Sequence, residues 1–521
     1  MNHHSNYYLH KEWKLTKLGL LIFPLLPTLG ILTLVFAAIS TFVKKWHTII
    51  RRPQNIALAS LALWLAIATF FAWNRQEAFL GLANLLPFFG VFAAFSTLIK
   101  TPAQLRQFSW IMVISSVPVV ILGFGQLFFG WSGLLNLQII LGWILAPQGN
   151  PPSRMASVFM YANILAIYLT VVFILGLGLW IEKWKYFQKF DRVKTTGASQ
   201  LKLSVENLTP QPPSYPPLPP FERDSYPPLP PFERDSYPPL PPFERDSYPP
   251  LPPFERGGQR KGENSSPTTE GNLVSEASFV RSLGLINIFR SKSGGAFVFL
   301  TVVIIANIVA LILTNSRNAW VLVVFASLAY ATYLGWHWLV ALVMATVATL
   351  FGAAFAPAPL NKWLQVIVPE YFWARLSDRN FDRPVGILRS TQWQFAWDKT
   401  WEKPWIGWGL RNFTPLYEAQ MQTWVGHPHN LFLMLTAETG IPAALFLFGW
   451  VGWILGKAVL LLINWSDVDS REDRLIFFSY LVAFGACTIF NMFDVSLFDL
   501  RVNTIGWLLL AAICGRSEFR I

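Results

Sequence analysis

The chain has 521 residues, of which 53% are hydrophobic and only 13% are charged, about half the charged fraction of an ordinary soluble domain. This composition argues against a soluble globular enzyme. The formal net charge of +12 would suggest nucleic-acid binding in a soluble protein, but here Lys and Arg cluster in short loops between apolar runs, as membrane topology requires. Both cysteines, Cys487 and Cys514, lie in apolar runs and predict neither a disulfide framework nor a metal site.

The apolar runs predict an all-α, polytopic integral membrane protein. A helix of ~20 apolar residues crosses the hydrocarbon core of a bilayer. We expect about eleven such helices, with ten to twelve allowed, because the first run contains Pro24 and Pro27 and is either kinked or a broken hairpin. The short apolar segment 131–147 either lies in the interface or re-enters the membrane. The runs lie at about 18–43, 54–73, 78–99, 108–130, 155–181, 294–314, 318–335, 337–356, 430–463, 475–493 and 496–515.

Basic loops set the predicted orientation. The loops at 44–52 and 100–106, and the residues that follow the fifth run, are rich in Lys and Arg and are therefore expected in the cytoplasm. The turn 315–318 and the long segment 356–429 then lie outside. Lys11, Lys14 and Lys17 fit this scheme only if the first run is a broken double crossing. The predicted organisation is an N-terminal bundle 1–181, a cytoplasmic loop 182–293, central helices 294–356, a periplasmic loop 357–429 and C-terminal helices 430–521.

The middle loop contains an 11-residue repeat rich in proline, which begins at Tyr215, Tyr226 and Tyr237 and is truncated after Tyr248. Proline at this density removes backbone donors and fixes φ, so polyproline II is the expected conformation. The repeat is either a ligand for a proline-reading module or a duplication tolerated in a cytoplasmic loop, and we predict no chemistry there.

The long outer segment carries the first candidates for chemistry. It is dense in Trp and Arg and ends in Gly-His-Pro-His-Asn, with histidines at His427 and His429. Long connections are commonly functional, although Trp at a membrane interface needs no function. Both histidines are of a type that titrates near neutral pH, and a general base or a phosphate donor is a better functional interpretation than a metal pair. Histidine pairs in loops are also often structural, and that alternative stays open here. A zinc site would need three or four ligands, and no partnered Cys or His motif is present.

Three arginines share the predicted outer side with these histidines. They are Arg154, Arg317 and Arg389. Each could simply extend its guanidinium to the lipid headgroups. Arginine forks also match phosphate oxygens with paired hydrogen bonds, so several of them beside a histidine would suit a lipid-linked phosphate. The topology makes their convergence possible without requiring it.

These motifs, in this order and on this side of the membrane, resemble the bacterial O-antigen ligase/polymerase family of integral membrane glycosyltransferases. The resemblance is strongest from Arg389 to about Gly440 and rests on Arg389, Pro404-Trp-Ile-Gly-Trp-Gly409, His427-Pro-His-Asn430 and Glu438-Thr-Gly-Ile441. The Ser-Arg turn at Arg317 and the segment from Arg154 to Asn163 and Ala166 add weaker matches.

The resemblance implies a glycosyltransferase architecture of the GT-C-like type in the bacterial inner membrane. It implies transfer of a glycan from polyprenyl pyrophosphate to an acceptor hydroxyl on a lipid or another glycan, on the periplasmic side. No cofactor, metal or nucleic acid is implied. Arg154, Arg317 and Arg389 would bind the pyrophosphate, His429 or His427 would deprotonate the acceptor, and Asn430 and Glu438 would support them. We prefer His429 because Asn430 follows it.

The alternative function is a membrane transporter or transport accessory, for bicarbonate or for a polysaccharide. A transporter should place ionisable residues at mid-depth or show inverted repeats. Few charges lie within the predicted spans, although Asp494 and Asp499 lie near a turn and His337 in a short connection. The conspicuous polar groups gather at the outer face instead, which favours chemistry on a lipid-linked substrate.

Overall fold

A computed structural model describes residues 9–133, 145–206, 292–377, 385–465 and 470–518. Within these residues the chain forms helices and no strands, which confirms the predicted fold class. The chain divides into a helical bundle, formed by Met1–Phe187 with Phe289–Ile521, and a second unit, Gln188–Ile288.

The longer helices correspond to the predicted apolar runs. They are α2 (Pro27–Lys44), α4 (Pro53–Phe70), α5 (Arg75–Leu98), α6 (Pro102–Phe128), α7 (Ala162–Glu206), α8 (Lys292–Leu313), α9 (Arg317–Leu334), α10 (His337–Phe355), α16 (Ile441–Ile463), α17 (Arg471–Asn491) and α18 (Leu500–Glu518). The shorter ones are α1 (His10–Ile22), α3 (Trp46–Ile50), α11 (Leu360–Ile367), α12 (Glu370–Ser377), α13 (Arg389–Glu402), α14 (Phe413–Met421) and α15 (Leu431–Thr439).

Nine of the described helices are long and apolar enough to cross a membrane. Of the eleven predicted runs, α9 and α18 fall outside this set, yet both connect the same two ends of the bundle as their neighbours. Many apolar side chains on these helices face outward: only 11% of the apolar stretch of α10 is buried. An apolar surface of this extent would be unfavourable in water and suits contact with lipid.

Polar contacts define the two ends of the bundle. At one end, Arg106 at the start of α6 binds Glu182 of α7 at 3.0 Å and Asp473 of α17 at 2.7 Å. At the other end, the Arg154 side chain donates to the carbonyl of Thr314 at 2.8 Å. Asn318 also donates there to the carbonyl of Phe493 at 3.4 Å. The loops with many basic residues gather at the first end, so the positive-inside rule assigns that end to the cytoplasm.

The first predicted run is a hairpin and not a single span. Helix α1 ends at Ile22 and α2 begins at Pro27, and the intervening turn contains Pro24. The buried Glu12 of α1 binds Lys44 at the end of α2, and Trp13 donates to Gln107 at 2.8 Å. The start of α1 therefore lies at the basic end of the bundle, which is the arrangement that Lys11 and Lys14 require under the positive-inside rule.

Two other segments depart from the sequence-based prediction. The run 430–463 breaks at Gly440, where φ is +82°, into α15 and α16. Helix α7 continues to Glu206, so the segment after Lys183, which we expected to be unfolded, begins as helix. The proline-rich repeats lie outside the described residues, as does most of the apolar segment 131–147.

The α1–α2 hairpin depends on a close approach at Gly30, and this gives a stability prediction. A Cβ atom at Gly30 would lie 2.5 Å from the Cα atom of Phe23, whereas a Cβ atom at Gly90 of α5 would meet nothing within 4 Å. Overpacking costs about 1–3 kcal/mol, and Ala in place of Gly within a helix favours folding by about 1 kcal/mol. We therefore expect Gly30→Ala to lower the midpoint of thermal unfolding in detergent and Gly90→Ala to leave it unchanged or raise it. Equal midpoints for the two variants would contradict a close-packed hairpin.

Candidate active site at the outer end of the bundle

The outer segment between α10 and α15 is folded around a small core of its own. Aromatic and apolar side chains of α13, α14 and α15 pack together there, including Phe395, Phe413, Tyr417 and Ala437. Lys399, buried between Phe395 and Trp408, is neutralised by Glu402 at 2.7 Å. This core gives the histidine loop a rigid support, because α13 and α15 flank it on both sides.

Three contacts fix the histidine loop. Trp393 of α13 donates to the carbonyl of Pro428 at 2.8 Å, and Thr414 of α14 donates to the carbonyl of Gly426 at 2.8 Å. Asn430 caps α15, since its side chain accepts from the amide of Leu433 at 3.0 Å. Asn is a favoured residue at this position because its side-chain oxygen satisfies an amide that the helix leaves unpaired. Asn430 therefore supports the site by setting where the loop ends.

His429 presents one ring nitrogen to a carboxylate and leaves the other available. Its Nδ1 lies 3.1 Å from Oδ1 of Asp494. In the neutral form the proton is therefore on Nδ1, and the unprotonated Nε2 has no hydrogen-bond partner among the described residues. One third of the side chain, 33%, is exposed, and the backbone adopts a φ of +54°. An imidazole held in this way can accept a proton at Nε2 while the carboxylate stabilises the charge.

His427 is held in a different way. Its Nδ1 accepts a hydrogen bond from the backbone amide of His429 at 3.1 Å, and its Nε2 lies 3.5 Å from Asp494. Burial, with smaller contributions from the charges of His429 and Arg389, lowers the pKa of His427 to about 4, against the opposing effect of Asp494. His427 is thus neutral at neutral pH, with both nitrogens occupied, which leaves it poorly placed to take a proton from a substrate.

Asp494 joins these histidines to the first predicted arginine. Its Oδ2 accepts a hydrogen bond from the side-chain amide of Asn163 at 2.8 Å, and the oxygen of that amide accepts from Arg154 at 2.6 Å. Burial by itself would raise the pKa of Asp494, yet the hydrogen bond with His429 and the charges of both imidazoles lower it to about 2. A hydrogen-bonded chain therefore runs from Arg154 through Asn163 and Asp494 to His429.

Asp494 was only weakly indicated by sequence patterns. It was noticeable as an acidic residue near a turn between two apolar runs, and nothing in its spacing connects it with the histidines 65 positions earlier. Asn163 was part of the family resemblance, but its bond to Asp494 spans 331 positions. Both partnerships depend on the packing of α7 beside the α17–α18 loop, which the sequence does not specify.

The three predicted arginines lie on three elements at the outer end of the bundle, and contacts tie two of them, Arg154 and Arg389, to this chain. Arg154 lies in the loop before α7 and packs over the ring of Tyr161 at 5.8 Å. Arg317 is the first residue of α9, directly after the turn whose Thr314 carbonyl accepts from Arg154. Arg389 begins α13, one helical turn before Trp393, and its charge contributes to the lowered pKa of His427. Arg154 and Arg389 therefore bring positive charge to Asp494 and its histidines, and Arg317 begins a helix next to the carbonyl that accepts from Arg154.

Glu438 lies near the carboxyl end of α15, beside the start of α14. This buried side chain accepts from the backbone amide of Phe413 at 3.2 Å, and its own carbonyl accepts from Gly409 at 2.8 Å. Among the described residues it contacts neither histidine, and its contacts are those of a residue at the end of α15; the supporting role that the resemblance implies for Glu438 stays a prediction. The contacts of Glu438 explain the Pro-x-x-Gly-x-Gly turn. This turn runs across the end of α15 and donates hydrogen bonds to the last carbonyls of that helix. A Cβ atom at Gly407 would lie 2.4 Å from the carbonyl carbon of Glu438, so the turn requires glycine there.

The histidine cluster has the composition of a small metal site. His427, His429 and Asp494 offer ligand atoms that lie within 4.8 Å of one another, a third ligand that the sequence did not reveal. Two observations disfavour a cation: Nδ1 of His427 already accepts from a backbone amide, and Arg389 adds positive charge beside the rings. The arrangement suits a hydrogen-bonded His–Asp pair better than a divalent ion.

An apolar cavity of about 140 Å³ lies below the loop that carries Asp494. Leu431 and Leu435 of α15 and Phe448 of α16 form one wall, and Trp507 of α18 forms another. Ser496, two residues after Asp494, lies at its rim. The polar cluster and an apolar space for a few methylene groups are therefore adjacent.

The buried histidine gives a pH prediction. The pKa of His427 is about 4 in the folded protein, against an ordinary value of 6.5. The unfolded chain therefore binds the proton first as the pH falls, and stability is lost from about pH 6.5 down to about pH 4, by roughly 2–3 kcal/mol. His427→Asn keeps an acceptor for the His429 amide but cannot titrate, and we expect it to reduce the fall in thermal midpoint between pH 6.5 and 4.5. His337→Asn, at an exposed histidine, is the control; identical pH profiles for all three proteins would contradict the assignment.

Comparison with known proteins supports the resemblance drawn from the sequence. Residues 300–448 match the family model described as O-antigen ligase, and this segment contains Arg317, Arg389, His427, His429 and Asn430. Arg154 and Asp494 lie outside it and join it through the contacts described above. No curated protein matches the chain. The segment 300–448 is thus similar to an O-antigen ligase domain, within a chain whose long apolar helices are those of a multi-pass membrane protein.

Proposed function

We propose that the protein transfers a glycan from a polyprenyl pyrophosphate to a hydroxyl group of a lipid or glycan acceptor. The transfer takes place at the outer face of the bacterial inner membrane. The observation that carries this proposal is the His429–Asp494 pair, with Nδ1 bound to the carboxylate at 3.1 Å and Nε2 available. Arg154 is joined to this pair through Asn163, and Arg389 acts on the neighbouring His427. A base beside several guanidinium groups is what substitution at a phosphate-activated sugar carbon requires.

His429 is the proposed base. The acceptor hydroxyl gives its proton to Nε2 as its oxygen attacks the anomeric carbon of the donor sugar. The new carbon–oxygen bond forms while the bond between that carbon and the pyrophosphate oxygen breaks. Asp494 remains ionised throughout and stabilises the imidazolium, and the proton then passes from His429 to the departed pyrophosphate or to water. Asp494 is a positioning residue in this scheme, because it acts through the histidine.

The arginines are the proposed binding groups for the pyrophosphate. Negative charge grows on the leaving pyrophosphate, so guanidinium groups fixed near it would lower the barrier without reorganising. Arg154 already uses Nε and one terminal nitrogen for Thr314 and Asn163, at 2.8 and 2.6 Å. These two bonds hold its remaining terminal nitrogen in a set direction. Arg317 and Arg389, on other elements, would complete the binding group.

The surroundings support a lipid-linked substrate. The apolar cavity of about 140 Å³ beside the Asp494 loop would receive part of an isoprenoid or acyl chain. A transporter would instead place ionisable groups along a path at mid-depth. Asp494, one of the few acidic residues near the predicted spans, is already bound to His429 and Asn163 at the outer end, which favours transfer over transport.

The first prediction separates the two histidines. With a purified polyprenyl-pyrophosphate glycan and acceptor, we expect His429→Ala to lower kcat by a factor of about 10²–10⁴, the usual contribution of a general base. His427→Asn, which keeps the acceptor for the His429 amide, should retain most activity. Asp494→Asn should lower kcat and displace the acidic limb of the pH–rate profile to lower pH, because the imidazolium loses its counter-ion.

Three outcomes would contradict this assignment: full activity of His429→Ala, an inactive His427→Asn that is folded, or an unaltered pH profile for Asp494→Asn.

A chelator tests whether the same three side chains bind a metal ion instead. We expect transfer to continue at the same rate after treatment with EDTA. Loss of transfer that is restored by one divalent ion would replace the His–Asp base with a metal centre.

A second prediction concerns the shape of the arginine side chain. Arg317→Lys keeps the charge but loses the planar fork that pairs with phosphate oxygens, so we expect kcat/KM for the donor to fall about 10²-fold. Arg411→Lys is the matched control, because Arg411 also lies on the outer side but pairs with Glu77 at 2.9 Å. Equal effects of the two substitutions would indicate a structural role for Arg317. Unchanged donor kinetics in Arg317→Lys would remove it from the site.

A further inference from the structure

A second polar cluster lies at the basic end of the bundle, away from the histidines. Helices α2, α4, α5 and α18 begin or end there. Four basic side chains meet at this point, in the company of one acidic residue, Glu518. They are Lys45, Arg51, Arg52 and Lys100. The positive-inside rule accounts for the sign of these charges, but it does not require that Arg51 and Arg52 line one cavity with Lys45 and Lys100 close by.

The cavity has a volume of about 500 Å³, and hydrogen bonds and ion pairs hold several of its lining residues in place. It is lined by His47, Thr48, Arg51, Arg52, Pro53, Gln54 and Glu518. The Arg52 side chain, only 14% exposed, lies 3.3 Å from Glu518 and donates to the hydroxyl of Ser96 at 3.4 Å. The buried amide of Gln54 also binds Glu518. These contacts preset the positions of the groups that face the cavity.

Positive charge is in excess around this cavity. Elsewhere at the same end, basic residues have close acidic partners, as Arg106 does with Glu182 and Asp473 at 3.0 and 2.7 Å. Within the part of the chain that the structure describes, neither Arg51 nor Lys100 has a carboxylate at salt-bridge distance. Burial, followed by the charges of Arg52 and Lys45, lowers the pKa of Lys100. A bound anion would relieve this repulsion.

The backbone adds to the positive potential. Helix α4 begins at Pro53, on the cavity wall, and its N-cap residue Arg52 provides no side-chain cap. The amino end of an 18-residue helix carries a partial positive charge, which favours a negatively charged group near it.

Apolar side chains next to the cavity indicate which anion it fits. Val43 is 72% exposed, Trp46 is 49% exposed and Ile56 is 52% exposed, and all three flank the basic residues where the apolar helices end. Trp is favoured at the level of the lipid headgroups. A soluble phosphate would use the basic groups alone, whereas a phospholipid would also cover these side chains with its acyl chains.

We infer that this cavity binds the phosphate of an anionic phospholipid from the cytoplasmic leaflet. Arg51, Arg52 and Lys100 would face the headgroup, and the acyl chains would lie against Val43, Trp46 and Ile56. The inference is independent of the proposed glycosyl transfer, because it uses the opposite end of the bundle and none of the residues assigned to that reaction. Basic pockets between membrane helices on the cytoplasmic side commonly bind anionic headgroups.

The test is a titration of the full chain, purified in detergent, with phosphatidylglycerol or phosphatidylcholine, followed by native mass spectrometry. We expect a retained phosphatidylglycerol on the wild type. We expect Arg51→Gln/Lys100→Gln to weaken its apparent affinity about 30-fold, since each basic residue near a membrane surface contributes a factor of about five. The control Lys185→Gln/Arg471→Gln removes two exposed charges at the same end and should leave the affinity unchanged.

The charge-preserving variant Arg51→Lys/Lys100→Arg should retain the lipid. It is the control for loss of binding caused by misfolding. Equal weakening in both double Gln variants would overturn the inference, because binding would then follow diffuse charge and not this cavity. Equal affinity for phosphatidylcholine would overturn it as well. So would displacement of the lipid by millimolar inorganic phosphate, which would identify a site for free phosphate.

Discussion

The carboxylate of Asp494 is the junction on which the outer end of the bundle depends. It is 6% exposed and lies within hydrogen-bonding or ion-pair distance of His429, His427, Asn163 and the amide of Val495. A buried charge is tolerated only when it is paired and hydrogen-bonded. Its partners come from three separate parts of the chain, so the same interactions that satisfy the charge also hold these parts in register.

This dependence explains why the histidine loop needs support from both sides. The loop has few apolar contacts of its own, and the small core formed by α13, α14 and α15 supplies the rigidity through Trp393 and Asn430. The turn at Gly407 in turn closes the carboxyl end of α15. Groups that must meet a substrate within a few tenths of an ångström need a supporting layer of this kind.

The sequence predicted the helices and their orientation, which local residue patterns and the surrounding solvent determine. Apolar runs gave the helices, because the absence of water in the hydrocarbon core leaves the backbone little choice. Basic loops indicated which helix ends lie together, and this grouped Arg154 and Arg317 with the histidines. The hairpin of α1 and α2 remained one of two options, since a proline pair is compatible with a kink or a turn, and the choice rests on the approach of Gly30 to Phe23.

Pairings between residues far apart in the chain could not be predicted from the sequence. Asp494 carries no motif, and its bond to Asn163 links residues 331 positions apart, so only the packed structure shows the pair. Glu438 illustrates the converse, since proximity in sequence does not establish a contact. It stands in a recognisable motif close to the histidines in sequence, yet a helix turns by about 100° per residue, and its side chain points to Phe413 instead.

The exposure of the polar groups follows the order that acid–base chemistry on a membrane-bound substrate would require. Asp494 is 6% exposed, His427 is 18% exposed and His429 is 33% exposed. A carboxylate shielded from water interacts more strongly with its histidine, because the effective dielectric constant is lower there. The acceptor, in contrast, must reach the base from outside the bundle. Placing the orienting charge deep and the proton-accepting nitrogen at the surface satisfies both conditions, and the membrane helices fix that depth because Asp494 lies in the loop where α17 and α18 end.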